Sequence, residues 1–166
     1  MELVQHIYVS AAAQSMGEDQ LFSLLGRARE NNERLGLTGM LLFTEGSFFQ
    51  VLEGDRDTVD RLYARIATDP RHCKVTKVVQ EPITERAFAS WTMGFLQPSR
   101  AQLKSLLGRN DFFGTASCFH GLDDGRAKRL LEAFKDGGWR VRLAAWSRGA
   151  PAAAPCPRTS TARRRW

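Results

Sequence analysis

Three observations predict an α+β fold. Stretches of β-branched and aromatic residues alternate with two stretches of helical period, the two middle apolar stretches are separated only by T-E-G, and the elements run β-α-β-β-α-β-β. That order is the ferredoxin-like split βαβ sheet with one added strand, and right-handed crossovers put both helices on one face. Short C-terminal helices are expected on the other face.

Each element has its own signal. Residues 3–10, L-V-Q-H-I-Y-V-S, alternate as a half-buried strand does. From 17 to 32 the period changes: Leu21, Leu24, Leu25 and Ala28 fall at i, i+3, i+4 and i+7, with Ser15 or Gly17 to begin the helix and Gly36 to close it. Residues 37–43 and 47–52 form two strands of a hairpin. Residues 55–68 form a second helix, with Val59, Leu62, Tyr63 and Ile66 as its stripe and Asp55 or Asp57 near its start. Residues 73–80 and 89–95 supply the last two strands.

The chain has 166 residues, enough for one domain and a small appendage. No apolar run approaches a membrane-spanning length, and M-E-L-V-Q-H does not begin a leader, so the cytoplasm is the expected location. Cys73, Cys118 and Cys156 are widely spaced and form no C-x-x-C pair, which argues against a disulfide framework or a zinc site and fits a reducing compartment. Charge divides the chain near Pro98. Residues 1–98 carry 10 Lys and Arg against 13 Asp and Glu, net −3, whereas 99–166 carry 14 against 5, net +9. The expected organisation is therefore a domain over 1–98, a helical cap over 99–136 with short amphipathic helices at 99–107 and 125–134, and a basic, Ala- and Pro-rich tail over 137–166 that should be disordered.

Gln50 stands out in S-F-F-Q-V-L-E-G, residues 47–54, because a buried amide needs partners and an unpaired one costs about 1 to 3 kcal/mol. In a sheet with both helices on one face, the first and third strands floor the cleft between the helices. Tyr8 and Gln50 can then face one cleft, and Asn32, beside Asn31 at the end of the first helix, can enter it from the rim. Singly each has an ordinary role: a packed ring, a cap, an exposed amide. Jointly, a phenol and two amides suit the edge of a planar heteroaromatic ligand, since amides read carbonyl and ring N–H groups alike.

The stretches I-Y-V-S at 7–10, N-N-E-R-L-G-L-T-G at 31–39, G-S-F-F-Q-V-L-E-G at 46–54, R-I-A-T-D-P-R-H at 65–72 and W-T-M at 91–93 resemble the successive motifs of BLUF domains, blue-light sensors that use FAD. The likeness runs in order from about residue 2 to 97. It implies non-covalent FAD between the two helices, with Asn32 on the flavin carbonyl and imide and Arg65 on the other pyrimidine edge. Asn31, Asp69, Arg71 and His72 would line the ribityl and phosphate side. Gln50 would lie beside N5 and C4=O, and Tyr8 would donate to Gln50 and serve as the photochemical electron and proton donor. Trp91 and Met93, assigned to the fifth strand, would carry the signal out; Thr92 stands where the family commonly has Ser.

The resemblance implies a photoreceptor rather than an enzyme, with no metal. Because residues after Pro98 are too few for a cyclase or phosphodiesterase, signalling through an unidentified downstream protein is expected, or through a homo-oligomer. Two rivals remain at this stage. A ferredoxin-like sheet with a basic tail also describes nucleic-acid-binding modules, although no R-G-F-x-F-type run is present. A flavin or acyl-phosphate enzyme would need an acid, base or nucleophile that the Asn and Arg residues do not provide.

Overall fold

The computed structural model describes residues 2–97 and, beyond them, 124, 127–129 and 131. The elements are β1 (Leu3–Ala12), α1 (Glu18–Leu35), β2 (Thr38–Thr44), β3 (Ser47–Asp55), α2 (Arg56–Ala67), β4 (His72–Pro82) and β5 (Gly94–Leu96). They form one sheet in the order β4-β1-β3-β2-β5. Neighbours are antiparallel except β2 and β5, which are parallel.

Local chemistry sets the ends of these elements. Gln20 Oε1 accepts from the Gly17 N–H at the start of α1, where Glu18 and Asp19 also favour the positive end of the helix dipole. Gly36 closes α1 in the left-handed conformation at φ 66°, and the Leu37 N–H returns to the Asn32 carbonyl at 2.8 Å. Glu45 and Gly46, at φ 45° and 72°, make the two-residue turn between β2 and β3. Gly39 is required by space: a Cβ there would lie 2.0 Å from the Val51 carbonyl oxygen.

Strand alternation then divides the apolar residues between two faces. Val4, Tyr8 and Ala12 of β1 join Leu41, Phe43, Phe48 and Leu52 under Leu21 and Leu25 of α1 and Val59 of α2. Ile7, Val9, Met40, Leu42, Phe49 and Val51 point the other way and pack with Val79, Phe88, Ala127 and Leu131. Fully burying one such aliphatic side chain contributes about 1.5 to 3 kcal/mol, so both faces must be covered. Helical residues Ala127 and Leu131 cover the face opposite α1 and α2, and Lys128 Nζ reaches Glu81 Oε2 of β4 at 3.0 Å. The rest of the expected cap, 99–136, and the tail, 137–166, lie outside the described residues.

Two expectations need correction. The fifth strand was expected over 89–95, yet only Gly94–Leu96 pairs with β2, so Trp91 and Met93 precede β5 instead of lying in it. The backbone groups ahead of β5 have other partners: the Ala87 and Phe88 N–H groups bind the Glu53 carboxylate, and the carbonyls of residues 91–93 bind groups on β2 and α1. The second concerns cysteine. Cys73 is disulfide-bonded. The 3.9 Å approach of its sulfur to the Ala12 carbonyl is therefore a contact without a proton to give. Sequence spacing carried no sign of this bridge because tertiary position, not separation along the chain, brings such sulfurs together.

Candidate functional site

Tyr8 and Gln50 are directly opposite across the β1–β3 ladder, and both point to the helix-covered face. Tyr8 is fully buried and its hydroxyl donates to Gln50 Oε1. Gln50 Nε2 in turn donates to Met93 Sδ at 3.7 Å. The misplaced amide thus has two partners, a phenol on one side and a thioether on the other. Burial pushes the Tyr8 hydroxyl well above the ordinary phenol range, with Tyr63 and Asp69 acting in the same direction, so the phenol keeps its proton and remains a donor.

The end of α1 grips the segment ahead of β5. Asn32, 2% exposed, donates through Nδ2 to the Thr92 carbonyl at 2.7 Å, and Arg29, one turn earlier, donates through Nε to the Met93 carbonyl at 3.1 Å. The Gly39 N–H meets the Trp91 carbonyl at 3.0 Å.

A second group gathers where α2 turns into β4. His72 Nδ1 and Ser10 Oγ lie 2.9 Å apart, and the His72 ring packs 4.8 Å from that of Phe48. Burial holds His72 below the ordinary imidazole value, Asp69 raises it and Arg71 lowers it. Arg71 and Asp69 pair at 2.6 Å, and this hydrogen-bonded pairing holds the Asp69 carboxyl down to about 2. A cavity of about 550 Å³ opens beside them, between the β1–α1 connection, the first half of α1 and Arg71; Ser15, Met16, Gln20, Leu24 and Arg27 help to line it.

The remaining expected site residues stand apart. Asn31 accepts from Arg34 Nη2 at 2.9 Å in an exposed contact. Arg65 is exposed in the last turn of α2. Trp91, 40% exposed, stacks on Phe88 with centroids 6.1 Å apart. Four polar residues escaped the sequence reading: Ser10, Arg29, Glu53 and His6. Glu53 was findable by the argument applied to Gln50, since it too interrupts an apolar strand. His6 shares the face of Tyr8 by period 2. Among the described residues no three His, Cys, Asp or Glu side chains are arranged to hold a metal ion, and no helix is long and apolar enough to cross a membrane.

Fold and site together define a small α+β domain with a buried phenol–amide–thioether chain under the helices and a cavity beside Arg71. The family model described as sensors of blue-light using FAD, BLUF, matches residues 3–94, and the chain belongs to that family. The beta subunit of photoactivated adenylate cyclase from Euglena longa is 41% identical over 87 residues, 52% of this chain but 10% of that protein. The chain thus spans about a tenth of the length of the curated relatives it matches. Among solved structures, the dark state of the BLUF protein BlrB covers 82% of this chain and 97% of its own, with TM-score 0.67 and 29% identity. BlrP1 of Klebsiella pneumoniae, solved with FMN and cyclic diGMP, covers 82% of this chain and 35% of its own, with TM-score 0.56 and 30% identity.

Proposed function

We propose that this protein is a blue-light photoreceptor that binds FAD non-covalently and signals by rearranging hydrogen bonds around Gln50. The observation that carries the reading is the buried chain from Tyr8 through Gln50 to Met93. The donor set fits a flavin. Asn32 Oδ1 and the Gln50 amide suit the polar edge of its ring, and Leu24 offers an apolar wall. Arg27 and Arg71 on the adjoining cavity suit a diphosphate, which favours FAD over FMN. Asp69 and His72 would steady Arg71 and Ser10 on that side, with Asn31 and Arg65 at the rim.

A bound flavin supplies an oxidant when excited by blue light. Tyr8 is the one side chain at the pair that gives up an electron and a proton together, and the Gln50 amide passes the proton because it both accepts from Tyr8 and donates onward. Both return, so nothing is consumed. What persists is a Gln50 amide turned or tautomerised relative to Tyr8, and Met93 then loses its donor. Such a change biases the segment ahead of β5 toward a second arrangement. The chain itself catalyses no turnover. It signals from the cytoplasm through a downstream protein partner or a change in homo-oligomer.

The test is a light-minus-dark spectrum. The purified protein should be yellow, release FAD and no covalent flavin on denaturation, and show a reversible red shift. Tyr8→Phe and Gln50→Leu should keep flavin and lose the shift, whereas Asn32→Ala should bind flavin more weakly. A normal shift in either of the first two variants rules the mechanism out.

A further inference from the structure

The sequence contains only two tyrosines, and the fold brings them ring to ring. Tyr8 of β1 and Tyr63 of α2 meet edge to face, with centroids 5.5 Å apart and an interplanar angle of 62°. The buried His6 ring packs against both, 4.4 Å from Tyr63 and 6.3 Å from Tyr8. The two phenols differ in their surroundings. Tyr8 is fully buried and donates to Gln50. Tyr63 is half-buried, and its hydroxyl accepts from the backbone N–H of Lys77, the residue opposite Tyr8 on β4. The proposed photochemistry makes no use of Tyr63.

The contact matters because the step assigned to Tyr8 leaves an oxidant in the core. Once Tyr8 has given an electron to the excited flavin and its proton to Gln50, a neutral phenoxyl radical remains. Both ordinarily return. If the electron is instead lost to dissolved dioxygen, the oxidising equivalent is stranded where water does not reach, with the oxidisable Met93 thioether bonded to the same amide. Tyr63 presents a phenol of the same kind in ring contact with the first, so exchanging an electron between the two changes little in energy. Access is what differs. Tyr8 exchanges its proton with Gln50, whereas half-buried Tyr63 can give its own to water.

We propose that Tyr63 is the redox partner of Tyr8, an exit through which an oxidising equivalent stranded in the core reaches the surface. The proposal rests on the photoreceptor reading. An electron passes from the Tyr63 ring to the Tyr8 radical; Tyr8 takes its proton back from Gln50, and Tyr63 releases its own to water. Tyr8 and Gln50 are then as they were in the dark. The radical on Tyr63 is quenched by a one-electron reductant of the ascorbate or thiol class, with a proton from water. The net change is one electron carried from that reductant to dioxygen, and the chain is left intact.

The experiment is radical trapping in the flavin-loaded full chain under blue light, with the red shift recorded on the same samples. The trap is 2-methyl-2-nitrosopropane; argon replaces air and ferricyanide replaces dioxygen as the electron acceptor, which excludes singlet oxygen. With two tyrosines in the chain, peptide mass assigns each tyrosyl adduct to its residue. The unaltered protein should gain a light-dependent adduct at Tyr63. In Tyr8→Phe, which keeps the ring contact and the flavin, that adduct should fall to the level of the dark control. Tyr63→Phe should keep the red shift but, in air with ascorbate, accumulate Met93 sulfoxide faster than the unaltered protein, a change that a merely structural role for Tyr63 would not produce. The first comparison does not require Tyr63→Phe to fold. A red-shifting protein with no adduct at Tyr63, an undiminished adduct in Tyr8→Phe, or equal sulfoxide formation with and without the Tyr63 hydroxyl overturns the exit. No red shift in the unaltered protein overturns the photoreceptor reading itself, so the two failures are told apart.

Discussion

His6 should make this protein acid-sensitive in a window where carboxylates contribute little. Its ring is fully buried, both ring nitrogens lack a partner, and it packs 4.4 Å from the ring of Tyr63 and 6.3 Å from that of Tyr8. Burial, helped by Lys77 and opposed by Asp60, brings its pKa from 6.5 down to about 4. The unfolded chain takes up the proton near the ordinary value, whereas the native protein resists it until far lower pH. Between the two the unfolded state holds more protons, so stability is complete above the ordinary value and falls as the pH drops toward 4. A shift of this size implies a loss of about 2 kcal/mol on going from pH 7 to pH 5, and about 3 kcal/mol by pH 4. Urea unfolding of the flavin-saturated protein at pH 7 and pH 5, followed by far-ultraviolet circular dichroism, measures it. His72 is lowered in the same direction, so the comparison that isolates His6 is with His6→Leu, which should lose about 2 kcal/mol less than the unaltered protein over that interval. Equal losses in the two proteins would refute the claim that a buried neutral imidazole is the cause.

Gly39→Ala should fail to fold or lose more than about 3 kcal/mol, because its Cβ would meet the Val51 carbonyl oxygen at 2.0 Å in a backbone at φ 157°; soluble yield and thermal unfolding report this. Leu25→Ala should cost about 2 to 5 kcal/mol by leaving a cavity between α1 and the sheet, read as a lower denaturant midpoint at unchanged slope. Arg71→Ala should weaken FAD more than riboflavin if this guanidinium holds phosphate, and equal weakening in titrations of both would remove Arg71 from that role. Removing residues 140–166 should leave spectrum and recovery rate unchanged, since their composition offers too little apolar surface to offset about 1 to 2 kcal/mol of backbone ordering per residue. A several-fold change in recovery would mean that the tail contacts the sensor.

Much of this protein was legible from its residues alone because local rules fix period and punctuation. The alternation of β1, the stripe Leu21–Leu24–Leu25–Ala28 and the Gly36 stop define the first strand and helix within a few residues of what the fold contains, and the short E-G turn allows only a hairpin. Gln50 could be singled out because a lone amide in an apolar strand is a local anomaly. The fold decided what depends on residues distant in sequence. Whether Trp91 and Met93 lie in a strand could not be read from W-T-M-G-F-L, since β-propensity there is satisfied equally by pairing or by packing. The outcome turned on Glu53, more than 30 residues away, whose carboxylate takes the Ala87 and Phe88 N–H groups, and on Asn32 and Arg29, which take the carbonyls that follow. The same holds for His6 and for the Cys73 bridge. An orphaned imidazole is a property of what surrounds it, and a disulfide is a meeting of two distant sulfurs. Hydrogen-bond partners of buried polar groups are chosen by which donors the packed chain brings within reach, and only the assembled tertiary structure fixes that choice.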